Sequence, residues 1–173
     1  MKSIRNFLAA PLIAIALLVS TFHSPPAQAQ AFSDYVENKV VDLLVRGQAF
    51  TAPATVYVGL STAACSDSSV GTEVANANAY ARVAVTSNLT NWAATQGGTS
   101  ASSGTGGLTS NLAAVNFPTP TGSWGTVTHW FLIDSGTWGS GNLLLCDDLT
   151  TAQTIGTGNT VSFAIGALTI TVQ

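Results

Sequence analysis

The chain has 173 residues, only 8% of them charged, and a formal net charge of −3; past residue 29 its cations are Lys39, Arg46 and Arg82, against eight carboxylates. Three dispersed cations cannot neutralise a run of phosphates, which argues against a nucleic-acid partner. A surface poor in charge and rich in Ser, Thr, Asn and Gly suits instead an extracellular β-protein, or a subunit that packs against copies of itself.

The N-terminus has the three parts of a secretion signal: Lys2 and Arg5, an uncharged apolar run over residues 7–19, and Ala27-Gln28-Ala29 after Pro25 and Pro26. The apolar run is shorter than the ~20 residues that a bilayer span needs. Cleavage is therefore expected after Ala29, with export to the periplasm, the cell surface or the medium and no membrane span in the mature chain. Residues 30–173 suit one domain with a hydrophobic core. Its two cysteines, Cys65 and Cys146, would reach an oxidising compartment, and a disulfide is the simplest expectation.

One helix is expected, over residues 32–46. Phe32, Val36, Val40 and Leu43/Leu44 fall on one stripe at helical spacing. Ser33 can cap the N-terminus, Asp34 and Glu37 put negative charge in the first turn, and Arg46-Gly47 is a stop signal. Such an amphipathic helix needs something to lie on. Beyond Pro53, alternating or β-branched runs predict strands at 55–60, 80–86, 113–117, 127–133, 143–145, 160–165 and 168–172, separated by Gly, Ser, Asn, Pro and Thr. Residues 95–110 hold almost nothing that can be buried and read as a long mobile loop. The expected fold is mainly β: an antiparallel β-sandwich or jelly-roll-like domain with one N-terminal helix.

Catalytic signals are sparse. His129 is the one histidine past residue 29 and lies in an expected strand, where alternation puts it on the face of Val127, Phe131 and Ile133. A hydrogen-bonded, half-buried structural histidine is the better reading, since no Gly-x-Ser-x-Gly elbow accompanies it. One histidine and two separated cysteines cannot supply a usual zinc set. Asp134, Asp147 and Asp148 lack the alternating pattern of a calcium loop, and nothing in the sequence marks Glu37 or Glu73. No cofactor or metal is expected, and no enzymatic activity. Trp92, Trp124, Trp130 and Trp138 are the most suggestive side chains. Trp92, Trp124 and Trp138 are candidate binding aromatics, able to stack on a sugar or pack on a partner; the alternative is that the tryptophans close the ends of the core. Asn88-Leu89-Thr90 matches a glycosylation acceptor and is treated as a chance match.

Several strings resemble a family of small bacteriophage structural proteins of tail-fibre-like type: FSDYVENKVVDLL from residue 32, PATVYVGLSTA from 53, YARVAVT from 80, FPTPTGSWGTVTHWFLID from 117, GNLLL from 141 and GALTIT from 166. The block from Ser123 to Asp134 is the most specific. The resemblance implies a compact β-domain on the virion surface that associates with copies of itself or with capsid or tail proteins, and it implies no catalytic residues. The secretion signal and the cysteine pair depart from a virion assembled in the cytoplasm. They fit a host protein that adopted such a module, as an adhesin or the unit of an extracellular filament. The expected function is structural, by self-association or surface attachment; the alternative is a secreted carbohydrate-binding or adhesin-like module.

Overall fold

A computed structural model describes residues 32–172, so the expected secretion signal and its cleavage site lie outside the described residues. Among the described residues the elements are one helix, α1 (Asp34–Val45), and eight strands: β1 (Thr55–Ser61), β2 (Val83–Thr86), β3 (Gly107–Ser110), β4 (Val115–Asn116), β5 (Gly125–Ile133), β6 (Leu143–Ile155), β7 (Ser162–Phe163) and β8 (Thr169–Val172). The domain is mainly β, every strand pair is antiparallel, and the single helix is N-terminal. No described helix is long and apolar enough to cross a membrane.

A four-stranded sheet in the order β2-β1-β5-β6 is the frame, and two ribbons, β3-β8 and β4-β7, form separate two-stranded sheets. Alternation assigns the faces. Val56, Val58 and Leu60 of β1, Trp130 and Leu132 of β5 and Leu145 of β6 point into the main core, where Val115, Phe117 and Leu168 from the ribbon side meet them. Aromatic rings run through this layer edge to face: Tyr80 to Trp124 at 5.3 Å and Trp130 to Phe163 at 6.2 Å between centroids. The opposite face holds a smaller cluster of Phe131, Ile133 and Leu143, covered by Val70 and Cys146. The Cys65–Cys146 disulfide ties the loop after β1 to β6 on this side, with its Cα atoms 6.4 Å apart.

The register between β5 and β6 slips between Val127 and His129, a β-bulge. Two steps along β5 there face five along β6, from Asp148 to Gln153, and the alternation of β5 reverses across the break, so Val127 joins Trp130 and Leu132 in the main core while Phe131 and Ile133 face the other way. The expectation that Val127, His129, Phe131 and Ile133 share a face is corrected on this point. The expected loop 95–110 also gives up its last residues, because Gly107–Ser110 pairs with Thr169–Val172 as β3-β8. Gln96 closes the remainder: its amide donates to Ala101 O at 2.7 Å and its oxygen accepts from Ser103 N at 2.9 Å. β6 runs for 13 residues rather than three, because residues 146–148 and 153–155 also pair with β5, although of these only Ile155 is buried.

Gly59 is opposite Phe131 in the β1-β5 register, and a Cβ there would sit 2.2 Å from Phe131 Cζ. The ring lies over the glycine, so Gly59→Val is expected to cost about 1–3 kcal/mol through overpacking. Urea unfolding reads this as a lower midpoint at unchanged slope.

Candidate functional site

The sequence candidates do not converge on one centre. His129 Nε2 is 2.5 Å from Asp148 Oδ1, and its Nδ1 is 2.7 Å from Thr128 Oγ1. Both ring nitrogens are thus engaged, by a neighbour along β5 and by the facing residue of β6. The Asp148 carboxylate is 79% exposed, so water screens the pair. Asp147 accepts from Asp148 N at 2.8 Å. Asp134 is used elsewhere: Asn142 donates to it from N at 2.6 Å and from Nδ2 at 2.8 Å, closing the β5–β6 turn. Among the described residues no three His, Cys, Asp or Glu are grouped to hold a metal ion.

Glu73 carries a role that its sequence context does not signal. It is buried and holds Arg82 in a two-pronged pair, Arg82 Nε to Oε1 at 2.7 Å and Nη2 to Oε2 at 2.7 Å. Tyr80 donates its hydroxyl to Oε1 at 3.1 Å and accepts from Leu60 N at 3.0 Å. Burial, more than the neighbouring Glu73 charge, pushes the Tyr80 phenol well above its ordinary range, which keeps it a donor. Arg82 Nη1 donates to Ser135 O at 2.7 Å and Ser140 O at 2.8 Å, and its Cζ sits 5.5 Å from the Phe131 ring centroid. Every prong is satisfied. The cluster clamps the segment between β1 and β2 to the β5–β6 turn, which is an architectural task. Glu37, by contrast, is exposed on α1.

The tryptophans divide. Trp124 and Trp130 are buried in the main core, and the Trp124 indole donates to Asn78 O at 2.9 Å. Trp124 is therefore corrected from a binding aromatic to a core residue: its ring packs against Tyr80 and Phe117, leaving no free face for a ligand. Trp138 is 45% exposed and its indole donates to Val74 O at 2.8 Å. Trp92 is half-buried, packs against the main core and lines a groove of about 440 Å³. Asn88, Leu89 and Thr90 make the tight turn at its edge, where the Asn88 side-chain oxygen accepts from Thr90 N at 3.0 Å and Asn91 N at 2.9 Å.

α1 offers a different kind of surface. Its start is fixed: Ser33 N donates to Leu144 O at 3.0 Å, Ser33 Oγ donates to Leu143 O, and Val36 N donates to Ser33 Oγ at 3.4 Å as the N-cap bond. Of the apolar stripe expected to lie on the domain, Val36 is buried and Phe32 and Val40 are half-buried. Farther along, Val41, Leu43, Leu44 and Val45 are exposed, Leu44 at 73% and Val45 at 77%. Val41, Leu44 and Val45 share a face at i, i+3 and i+4. That exposure is not legible from the stripe itself, because a seam looks the same whether its own domain or another chain covers it.

No curated protein gives a significant match to the chain. The family model described as podophage GP4 fiber I protein gp80 matches residues 31–171, which is almost all of the described domain. With that span covered from before α1 into β8, the chain belongs to the phage structural family of podophage GP4 fiber I protein gp80.

Proposed function

We propose that the chain is a non-enzymatic structural protein of fibre type, acting outside the cytoplasm through association with copies of itself or with other virion or cell-surface proteins. The match of residues 31–171 to a fiber protein family carries this reading. Cleavage after Ala29 would leave α1 close to the new N-terminus. The reading is further supported by the use of the chemistry-bearing residues: Glu73 and Asp134 are consumed in holding loops, and His129 is pinned at both ring nitrogens.

A second copy of the chain is the occupant we assign to the exposed end of α1. Asp42 is the only charged residue in the second half of that helix, and it pairs with the C-cap Arg46 at 3.4 Å. The apolar face thus offers a copy little to repel, and burying it removes Val41, Leu44 and Val45 from water. The test is light scattering on a sizing column, with negative-stain images of the same peak, on chain exported to an oxidising periplasm. Defined oligomers or filaments are expected. Leu44→Glu with Val45→Glu is expected to release monomer while shifting stability by no more than about 0.5 kcal/mol, as exposed substitutions do. A wild-type chain that stays monomeric at high concentration overturns the reading.

A further inference from the structure

The geometry points to a second function on the same domain: the groove beside Trp92 is a binding site for a neutral saccharide. It is bounded by the turn that follows β2 and by the 95–106 loop, and its volume of about 440 Å³ falls in the range of small-ligand sites. The smaller cavity at Trp138 measures about 110 Å³ and is lined by Arg82, which the Glu73 pair already occupies.

The ligand class follows from the lining. Ser87, Asn88, Leu89, Trp92, Ala93, Ala94, Ser100, Ser102 and Thr109 include no ionisable side chain, so the groove selects neither anions nor cations. Its polar groups are half used, in a way that leaves both donors and acceptors. The Asn88 oxygen is taken by Thr90 and Asn91, leaving the amide NH2 to donate. Ser102 Oγ accepts from Thr95 N at 3.2 Å, leaving its O–H to donate. Thr109 Oγ1 donates to Ala93 O at 2.7 Å, leaving its lone pairs to accept. The indole N–H of Trp92, unlike those of Trp124 and Trp138, enters no protein hydrogen bond among the described residues. A ligand that meets such a set is itself uncharged and carries hydroxyls that both donate and accept, with an apolar ring face to lay on an indole.

Trp92 is also held in place before any ligand arrives. Its N donates to Asn88 O at 3.2 Å, and it forms a bridge with Asn111. Asn111 is buried and fixed in turn: Nδ2 donates to Ala113 O and Ala164 O, both at 2.8 Å, and Oδ1 accepts from Leu168 N at 2.9 Å. A platform already immobilised loses little entropy on binding.

The test exposes the exported chain to a printed array of neutral and acidic bacterial surface oligosaccharides, and titrates any captured glycan by calorimetry. Capture of a neutral glycan is expected. Trp92→Ala should weaken binding roughly tenfold or more, as truncation of a central aromatic contact does, while Trp92→Phe keeps part of it and Trp138→Ala leaves it unchanged. Melting curves of both Trp92 variants show whether the fold is retained. No capture of any neutral glycan, preference for acidic ones alone, or equal binding by folded Trp92→Ala overturns the proposal. So does loss of assembly with glycan binding intact in Trp92→Ala, which would make the groove a contact between copies. Glycan capture by a strictly monomeric wild-type chain would count against the fibre reading and leave this one standing.

Discussion

Glu73→Ala is expected to destabilise the domain by about 3–5 kcal/mol, the range for removing one member of a buried ion pair. The loss is large because Arg82 stays behind: its side chain is 1% exposed, and its guanidinium would keep only the Ser135 and Ser140 carbonyls. Tyr80 loses its acceptor in the same step, and Gly139 N, 3.4 Å from Glu73 Oε2, loses a contact in the β5–β6 turn. Guanidinium chloride unfolding of wild type, Glu73→Ala, Arg82→Met and the double variant measures this. The double variant should be less destabilised than the sum of the singles, because the groups share one network. Additive costs, or a Glu73→Ala midpoint equal to wild type, would show that the pair does not hold the two loops.

Loss of the Cys65–Cys146 bond is the second large expected effect. The bond closes a loop with a sequence separation of 81. For a loop of that length the chain-entropy model gives about 4–5 kcal/mol at 25 °C. The bond also anchors the loop that carries Val70 onto Phe131, Ile133 and Leu143, a cluster too small to hold that loop firmly by itself. Cys65→Ser, Cys146→Ser and the double variant should lower the unfolding midpoint alike, and a reductant should bring the wild type to the same value. The expected consequence for production is a better yield of folded chain from an oxidising compartment than from a reducing one. An unchanged wild-type midpoint under reductant would count against the bond as a stabilising element.

Local chemistry was the most legible part of the fold. Ser33 followed by Asp34 and Glu37 marks a helix start because a hydroxyl acceptor and first-turn carboxylates answer its free N–H groups, and α1 begins there. Val56, Val58 and Leu60 alternate because a pleated strand with one face on a core must, and β1 contains them. β3 was hidden because Gly107–Ser110 has no apolar alternation of its own and is strand only through its pairing with Thr169–Val172. Glu73 was equally hidden: a carboxylate in an irregular segment is ordinarily solvated, and its value here comes from Arg82, Tyr80 and Gly139 arriving from elsewhere in the chain.

By itself the sequence determined what depends on near neighbours and on composition: a mainly β domain with one leading helix, a surface short of charge, and motif strings that pointed to a phage fibre family. Tertiary structure decided what depends on which distant groups meet. The bulge after Val127 chose the face of β5 on which each side chain lies. Packing buried Trp124, yet left Trp92 beside a groove and Leu44 in the open. Those outcomes are set by burial and pairing between segments far apart along the chain, and the free energy of such contacts is written in no single stretch of residues.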